Sequence, residues 1–144
     1  MKFLFICRGN VGRSQIAEAL CQKKIAETAH DPDIVYEVES AGTQLSGKEQ
    51  PLGELRPATD NVIEVMQEIG IDISGHIRKQ VTESMAQSAD QIILVVDEHD
   101  PLPEYLLDSP KILKWHIPDP KGQSLEFTRE TRNQIKELID TIEL

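Results

Sequence analysis

Aromatic side chains make up 4% of the 144 residues, cysteines number two, and positive charge is in the minority: 15 Lys and Arg stand against 25 Asp and Glu, a formal net charge of −10. Each shortage excludes something. A field of that sign repels phosphate backbones, so nucleic acid is not an expected partner and any anion site has to be built locally. Two cysteines, Cys7 and Cys21, make no disulfide framework; in a reducing compartment each is a free thiol. No apolar run approaches the ~20 residues that span a bilayer, so no membrane association is expected. The opening "MKFLFIC" is too short for a signal core and no small-residue cleavage site follows it; it reads as a first strand, and the expected location is the cytoplasm. Internal repeats, low-complexity tracts and linkers are missing too. His30, His99 and His116 show no metal-ligand spacing, so neither a metal nor a cofactor is expected.

What is present is an ordinary globular composition, 39% hydrophobic and 28% charged, in a length that fits one domain over residues 1–144. "KFLFI" (2–6) and "QIILVV" (91–96) are continuous apolar runs, as in parallel strands buried on both faces. "IVYEVES" (34–40) alternates and "KILKW" (111–115) is a short fourth strand. Helical spacing runs from Ser14 to about Glu27, over 58–70 with Gly70 as its stop, and over 127–144. Thr82 is placed to cap a short helix, 83–88, and "PLPEYLL" (101–107) reads as another. The segment 42–58, with Gly42, Gly47, Pro51, Gly53 and Pro57, is long for a connection in a compact domain, and long loops are often functional. Strands alternating with helices predict an α/β fold with a parallel sheet.

Between the first strand and its helix lies "CRGNVGRS" (7–14). In open parallel sheets ligands bind beyond the carboxyl ends of the strands. N–H groups of a glycine-containing loop form an anion nest there, and the helix N-terminus adds partial positive charge and free donors. Gly9 and Gly12 allow the tight backbone, and Arg13 brings a planar fork that matches two oxyanion oxygens. Cys7 sits where these donors converge. Such surroundings favour a thiolate, and a thiolate facing a bound tetrahedral oxyanion is a nucleophile aimed at its central atom. Ser14 is placed to donate a hydrogen bond to the sulfur. Phosphoryl transfer to a cysteine also needs an acid for the leaving oxygen. Two Asp-Pro pairs offer one, "HDP" (99–101) and "IPDP" (117–120), and spacing does not choose between Asp100 and Asp119.

"CRGNVGRS", "SAGT" (40–43), "GIDISGHIRKQVTE" (70–83) and "IPDP", taken together, resemble the low-molecular-weight protein tyrosine phosphatase family nearly end to end. That family shares its fold with thioredoxin-linked arsenate reductases. The resemblance implies a four-stranded parallel sheet in the order 2-1-3-4 with helices on both faces. It implies Cys7 as the nucleophile that becomes a phosphocysteine, Arg13 as the ligand of the phosphoryl oxygens, and Asp119 as the acid that later activates water. Arg8, Gly9, Asn10, Val11, Gly12 and Ser14 would complete the substrate-binding loop. Asn10, Ser14, Ser40 and His76 would form a hydrogen-bond network that holds it.

Departures from the family pattern bear on substrate. Gly12 stands where many members carry a second cysteine, and Gln15 stands where the phosphatases usually have proline, which leans toward the reductase branch. Arg8 replaces an apolar wall residue, and Lys121-Gly122 replaces the tyrosines that wall the pocket of eukaryotic-type members. Val11 differs from the threonine of relatives directed to phosphoarginine. The reductase relay needs two further cysteines near the loop; residues 76–100 hold none, and Cys21 lies seven residues past Ser14, about 10 Å along a helix. The expected activity is metal-independent hydrolysis of phosphomonoesters, protein phosphotyrosine or small esters, with inorganic phosphate and other oxyanions as ligands. Arsenate reduction with an external thiol-redox partner is the alternative.

Overall fold

A computed structural model describes residues 1–28 and 30–144. Strand β1 (Lys2–Cys7) runs to the candidate loop, which leads into α1 (Arg13–Glu27). Strand β2 (Glu37–Gly42), a 3₁₀ turn at Leu52–Leu55, helices α2 (Asp60–Gln67) and α3 (Glu83–Ser88), and β3 (Gln91–Val96) follow. A second 3₁₀ turn (Glu104–Leu106), β4 (Ile112–His116) and α4 (Leu125–Ile139) complete the order. The four strands are parallel, in the order β2-β1-β3-β4. This is the single-domain α/β arrangement anticipated.

The pleat divides the core in two. Phe3, Phe5, Ile93 and Val95 face α1, α2 and α4, while Leu4, Ile6, Ile92, Leu94 and Val96 face α3 and the second 3₁₀ turn. That two-sided burial is why β1 and β3 are continuously apolar. Helix α1 is buried almost all round over residues 13–21 because it is wedged between the sheet and α4. Truncating one of these buried aliphatic side chains costs about 2–5 kcal/mol.

Several boundaries move from the sequence expectation. The second strand starts at Glu37, not residue 34: β1 begins at Lys2, opposite Glu37, so residues 34–36 have no strand to pair with, and Ile34 and Val35 stay exposed. Helix α2 starts at Asp60 because the Thr59 hydroxyl donates to Leu52 O (2.8 Å), tying residue 59 to the preceding turn. Ser124 starts α4 at Leu125, its Oγ accepting from Phe127 N (3.1 Å), and Lys24 Nζ closes the other end on the carbonyls of Ile139 and Asp140. Thr82 caps α3 through Met85 N at 3.2 Å, as expected. Residues 101–107 form only a 3₁₀ turn at their centre.

Candidate functional site

The loop 7–14 is held from outside by its carbonyls. Cys7 O accepts from Thr43 N (2.9 Å) and Arg8 O from Gln44 N (2.9 Å). Gly9 O accepts from Arg78 (2.9 Å) and Asn10 O from Gln15 Nε2 (3.3 Å). Among the described residues, the N–H groups of residues 9–14 donate to no protein acceptor. With the carbonyls of residues 7–10 engaged outside the loop, the donors of residues 9–14 are left to the cleft. Asn10 provides the reversal, with φ of +54°, a left-handed conformation that asparagine tolerates better than most residues. Helix α1 has no side-chain cap and no acid in its first turn, unlike α3 and α4, so its positive end is also free for an anion.

The cleft has a volume of 710 Å³ and is lined by Cys7, Arg8, Gly9, Val11, Gly12, Arg13 and Asp119, among others. Cys7 Sγ lies 2.9 Å from Ser14 Oγ. Asn10 Nδ2 donates to Ser14 Oγ (2.7 Å) and Ser40 Oγ (3.0 Å), which links three of the four residues expected in the network. Gly42 permits the close approach of β2: a Cβ there would sit 2.7 Å from Arg8 O and 2.9 Å from Asn10 N.

Arg13 is almost fully buried. One of its end nitrogens donates to Asp100 (2.8 Å) and to Ile117 O (2.9 Å), and the other stands 3.6 Å from Asp119. Burial opposes its charge, but Cys7, Asp100 and Asp119 outweigh that and raise its pKa. The two candidate acids are thus separated in space. Asp100 is sealed at 4% side-chain exposure, where it accepts from Arg13 and from Asp97 N (2.9 Å); Asp119 is 41% exposed at the cleft.

His76 does not join the network. Its Nδ1 is 3.8 Å from Glu18 and makes no hydrogen bond, and burial pulls its pKa down against the influence of Asp72. Asn10 Oδ1 accepts instead from Lys79 N (2.8 Å) and Gln15 Nε2 (3.2 Å). Burial pushes the Glu18 carboxyl pKa up, with Lys79 and Ser40 opposing. Cys21 is buried in the core, where burial pushes its thiol up to about 12. Among the described residues no cluster of three or more His, Cys, Asp or Glu is arranged to hold a metal, and no helix is long and apolar enough to cross a membrane.

Residues 2–142 match the low molecular weight phosphotyrosine protein phosphatase family. This chain belongs to that family. A curated relative is the glutaredoxin arsenate reductase of Synechocystis, 31% identical over 141 residues, covering 98% of this chain and 95% of the relative. Among solved structures, a low molecular weight protein tyrosine phosphatase from T. tengcongensis superposes with a TM-score of 0.74 at 29% identity, covering 97% of this chain and 95% of that one. An arsenate reductase in a phosphate-binding state superposes with a TM-score of 0.73 at 29% identity, covering 96% and 93%. The family is therefore one of enzymes, phosphatases or arsenate reductases.

Sequence reasoning missed Arg78 and Lys79, although "HIRKQ" carries a signal. The stretch is extended, bridging Pro51 through Ile77 and Gly42 through Gln80, so its side chains alternate. Arg78 turns to the cleft, while Lys79 gives its backbone N–H to Asn10 and its amine to Glu39 (3.3 Å). The cleft walls are Leu45, Leu55, Ala58 and Val62, and no aromatic residue lines it.

Proposed function

We propose that this chain hydrolyses phosphomonoesters, with protein phosphotyrosine among its substrates, through a phosphocysteine at Cys7. The observation that carries this reading is the loop itself, with the carbonyls of residues 7–10 fastened from outside, the N–H groups of residues 9–14 without an acceptor among the described residues, and Cys7 and Arg13 on the same cleft. The loop donors and Arg13 hold the phosphoryl oxygens. The Cys7 thiolate attacks phosphorus, the P–O bond to the leaving group breaks, and the Asp119 carboxyl protonates the departing oxygen. The Asp119 carboxylate then takes a proton from water, whose oxygen attacks the phosphocysteine. The S–P bond breaks to give inorganic phosphate and a thiolate stabilised by Ser14, 2.9 Å away. The exposed position of Asp119 at the cleft supports it, rather than the sealed Asp100, as the acid.

A second reading is arsenate reduction, favoured by the relative named a glutaredoxin arsenate reductase. Here the Cys7 thiolate would displace water from arsenate, and an external thiol would attack the arseno-cysteine sulfur, releasing arsenite and leaving a mixed disulfide. Cys21 is no substitute for that thiol, being buried and protonated. A parallel assay separates the readings: an aryl phosphate in one arm, arsenate with glutathione–glutaredoxin or thioredoxin in the other. Turnover in the first arm with none in the second is the expected result.

A further inference from the structure

Arg78 is a buried guanidinium with no carboxylate partner among the described residues: burial lowers its pKa, and only Cys7 opposes that. Its exposure is 4%, yet it lines the cleft. A guanidinium has five N–H donors. Arg78 gives one end nitrogen to Gly9 O (2.9 Å) and the other to Ser46 O (3.0 Å), and its Nε, also buried, finds no acceptor. Among the described residues no carboxylate pairs with it. Buried charges are normally paired, because desolvation without a partner is costly. In a chain of net charge −10 a missing carboxylate is not for want of supply.

The rest of the cleft has the same imbalance. Its charged lining consists of Arg8, Arg13, Arg78, Lys121 and Asp119. Arg13 is matched by Asp100 and Asp119, whereas Arg8 and Lys121 are exposed and, among the described residues, also lack carboxylate partners. The phosphoryl group is served by Arg13 and the loop donors. Arg78 meets the loop at Gly9, whose carbonyl it holds at 2.9 Å.

We infer that Arg78 is a specificity-determining residue that reads a second anionic group, a carboxylate carried on the same molecule as the transferred phosphoryl. This rests on the reading of the cleft as a phosphomonoesterase site. The carboxylate comes either from a small acidic ester or from an acidic residue beside a phosphorylated side chain; the chemistry recognised is the same. Arg8 and Lys121, being hydrated, would draw such a substrate in, while the desolvated Arg78 discriminates.

The test uses a matched pair, 4-(carboxymethyl)phenyl phosphate and its primary amide, whose phenols are alike as leaving groups. A second arm uses phosphotyrosyl peptides flanked by Glu or by Gln. The wild type is expected to favour the acid of at least one pair by roughly tenfold in kcat/KM, chiefly through KM; the arm that shows it identifies the source. Arg78→Gln should bring the ratio close to one, and Arg78→Lys should keep part of it. Equal kcat/KM within both pairs for the wild type overturns the inference. So does a ratio that Arg78→Gln leaves unchanged while kcat falls on every substrate, the mark of a purely structural clamp. The phosphonate analogues of the small pair, titrated calorimetrically into Cys7→Ser protein, give the same comparison without turnover. Tighter binding of the acid there upholds the subsite even if no ester is hydrolysed, and equal binding overturns it even if hydrolysis is rapid.

Discussion

The Arg13 guanidinium meets the Asp100 carboxylate at 2.8 Å, and the two side chains are almost out of water, at 2% and 4% exposure. Asp100 in turn accepts from Asp97 N, so the arginine is held through the carboxyl-end loop of β3. A long, flexible side chain becomes a fixed one, and its second end nitrogen is left for the cleft. Breaking such a buried pair leaves a charge without compensation, which costs up to about 3–5 kcal/mol. Asp100→Ala should therefore lower both stability, read by urea unfolding, and kcat/KM. Asp100→Asn, which keeps an acceptor, should do less of each. Neither should change how the rate depends on leaving-group basicity.

That dependence belongs to Asp119. An aryl phosphate with an acidic phenol hardly needs a proton, whereas an alkyl or tyrosyl phosphate does. Asp119→Asn is expected to slow the second kind far more than the first, within the roughly 100- to 10,000-fold range of general acid catalysis. A series of phenyl phosphates of graded phenol acidity measures the slope.

Gly42 sits under the loop with backbone on two sides, Arg8 O and Asn10 N, where a Cβ would be 2.7 and 2.9 Å away. Neither atom swings aside as a side chain would. Gly42→Ala should cost about 1–3 kcal/mol and distort the N–H cradle. Competitive inhibition by inorganic phosphate should weaken by at least tenfold, a loss that Gly75→Ala, where nothing lies within 4 Å, should not reproduce.

The two thiols should differ in reactivity by orders of magnitude. Cys7 opens on the cleft, while Cys21 is in the core with its thiol pushed to about 12. Iodoacetamide at neutral pH should alkylate Cys7 in the folded protein, with protection by phosphate, and reach Cys21 only after denaturation. Peptide mass mapping reads both. After arsenate treatment without external thiol, no Cys7–Cys21 disulfide should form.

Away from the site, Glu68 joins α2 to α4 through Arg129 (2.7 Å) and Arg132 (2.7 Å). Hydrogen bonds from Arg129, then Arg132, lower its pKa from the usual 4.5 to about 2. A depressed carboxylate contributes stability that is present above its unfolded pKa and is lost as pH falls through the folded one. The stability gap between wild type and Glu68→Gln should thus be full above pH 5 and close progressively toward pH 2. Urea unfolding across that range checks it.

Local chemistry and periodicity in the sequence determined the sheet, the placement of the loop 7–14 at a strand's carboxyl end, and the thiol and guanidinium within it. Two-sided burial demands continuous apolar strands, and an anion cradle at a helix start demands its glycines close by in the chain. These constraints span few residues, so they leave a local trace. Which Asp-Pro pair reaches the cleft was beyond spacing, since Asp100 and Asp119 differ only in where the ends of β3 and β4 carry them, one under Arg13 and the other to the surface. The place of His76 was beyond spacing too: packing sets its Nδ1 3.8 Å from Glu18, with no hydrogen bond to Asn10, Ser14 or Ser40. Arg78 announced itself least of all, because a surface arginine and a buried one are the same letter. Packing across 69 residues to the Gly9 carbonyl is what takes its charge out of water.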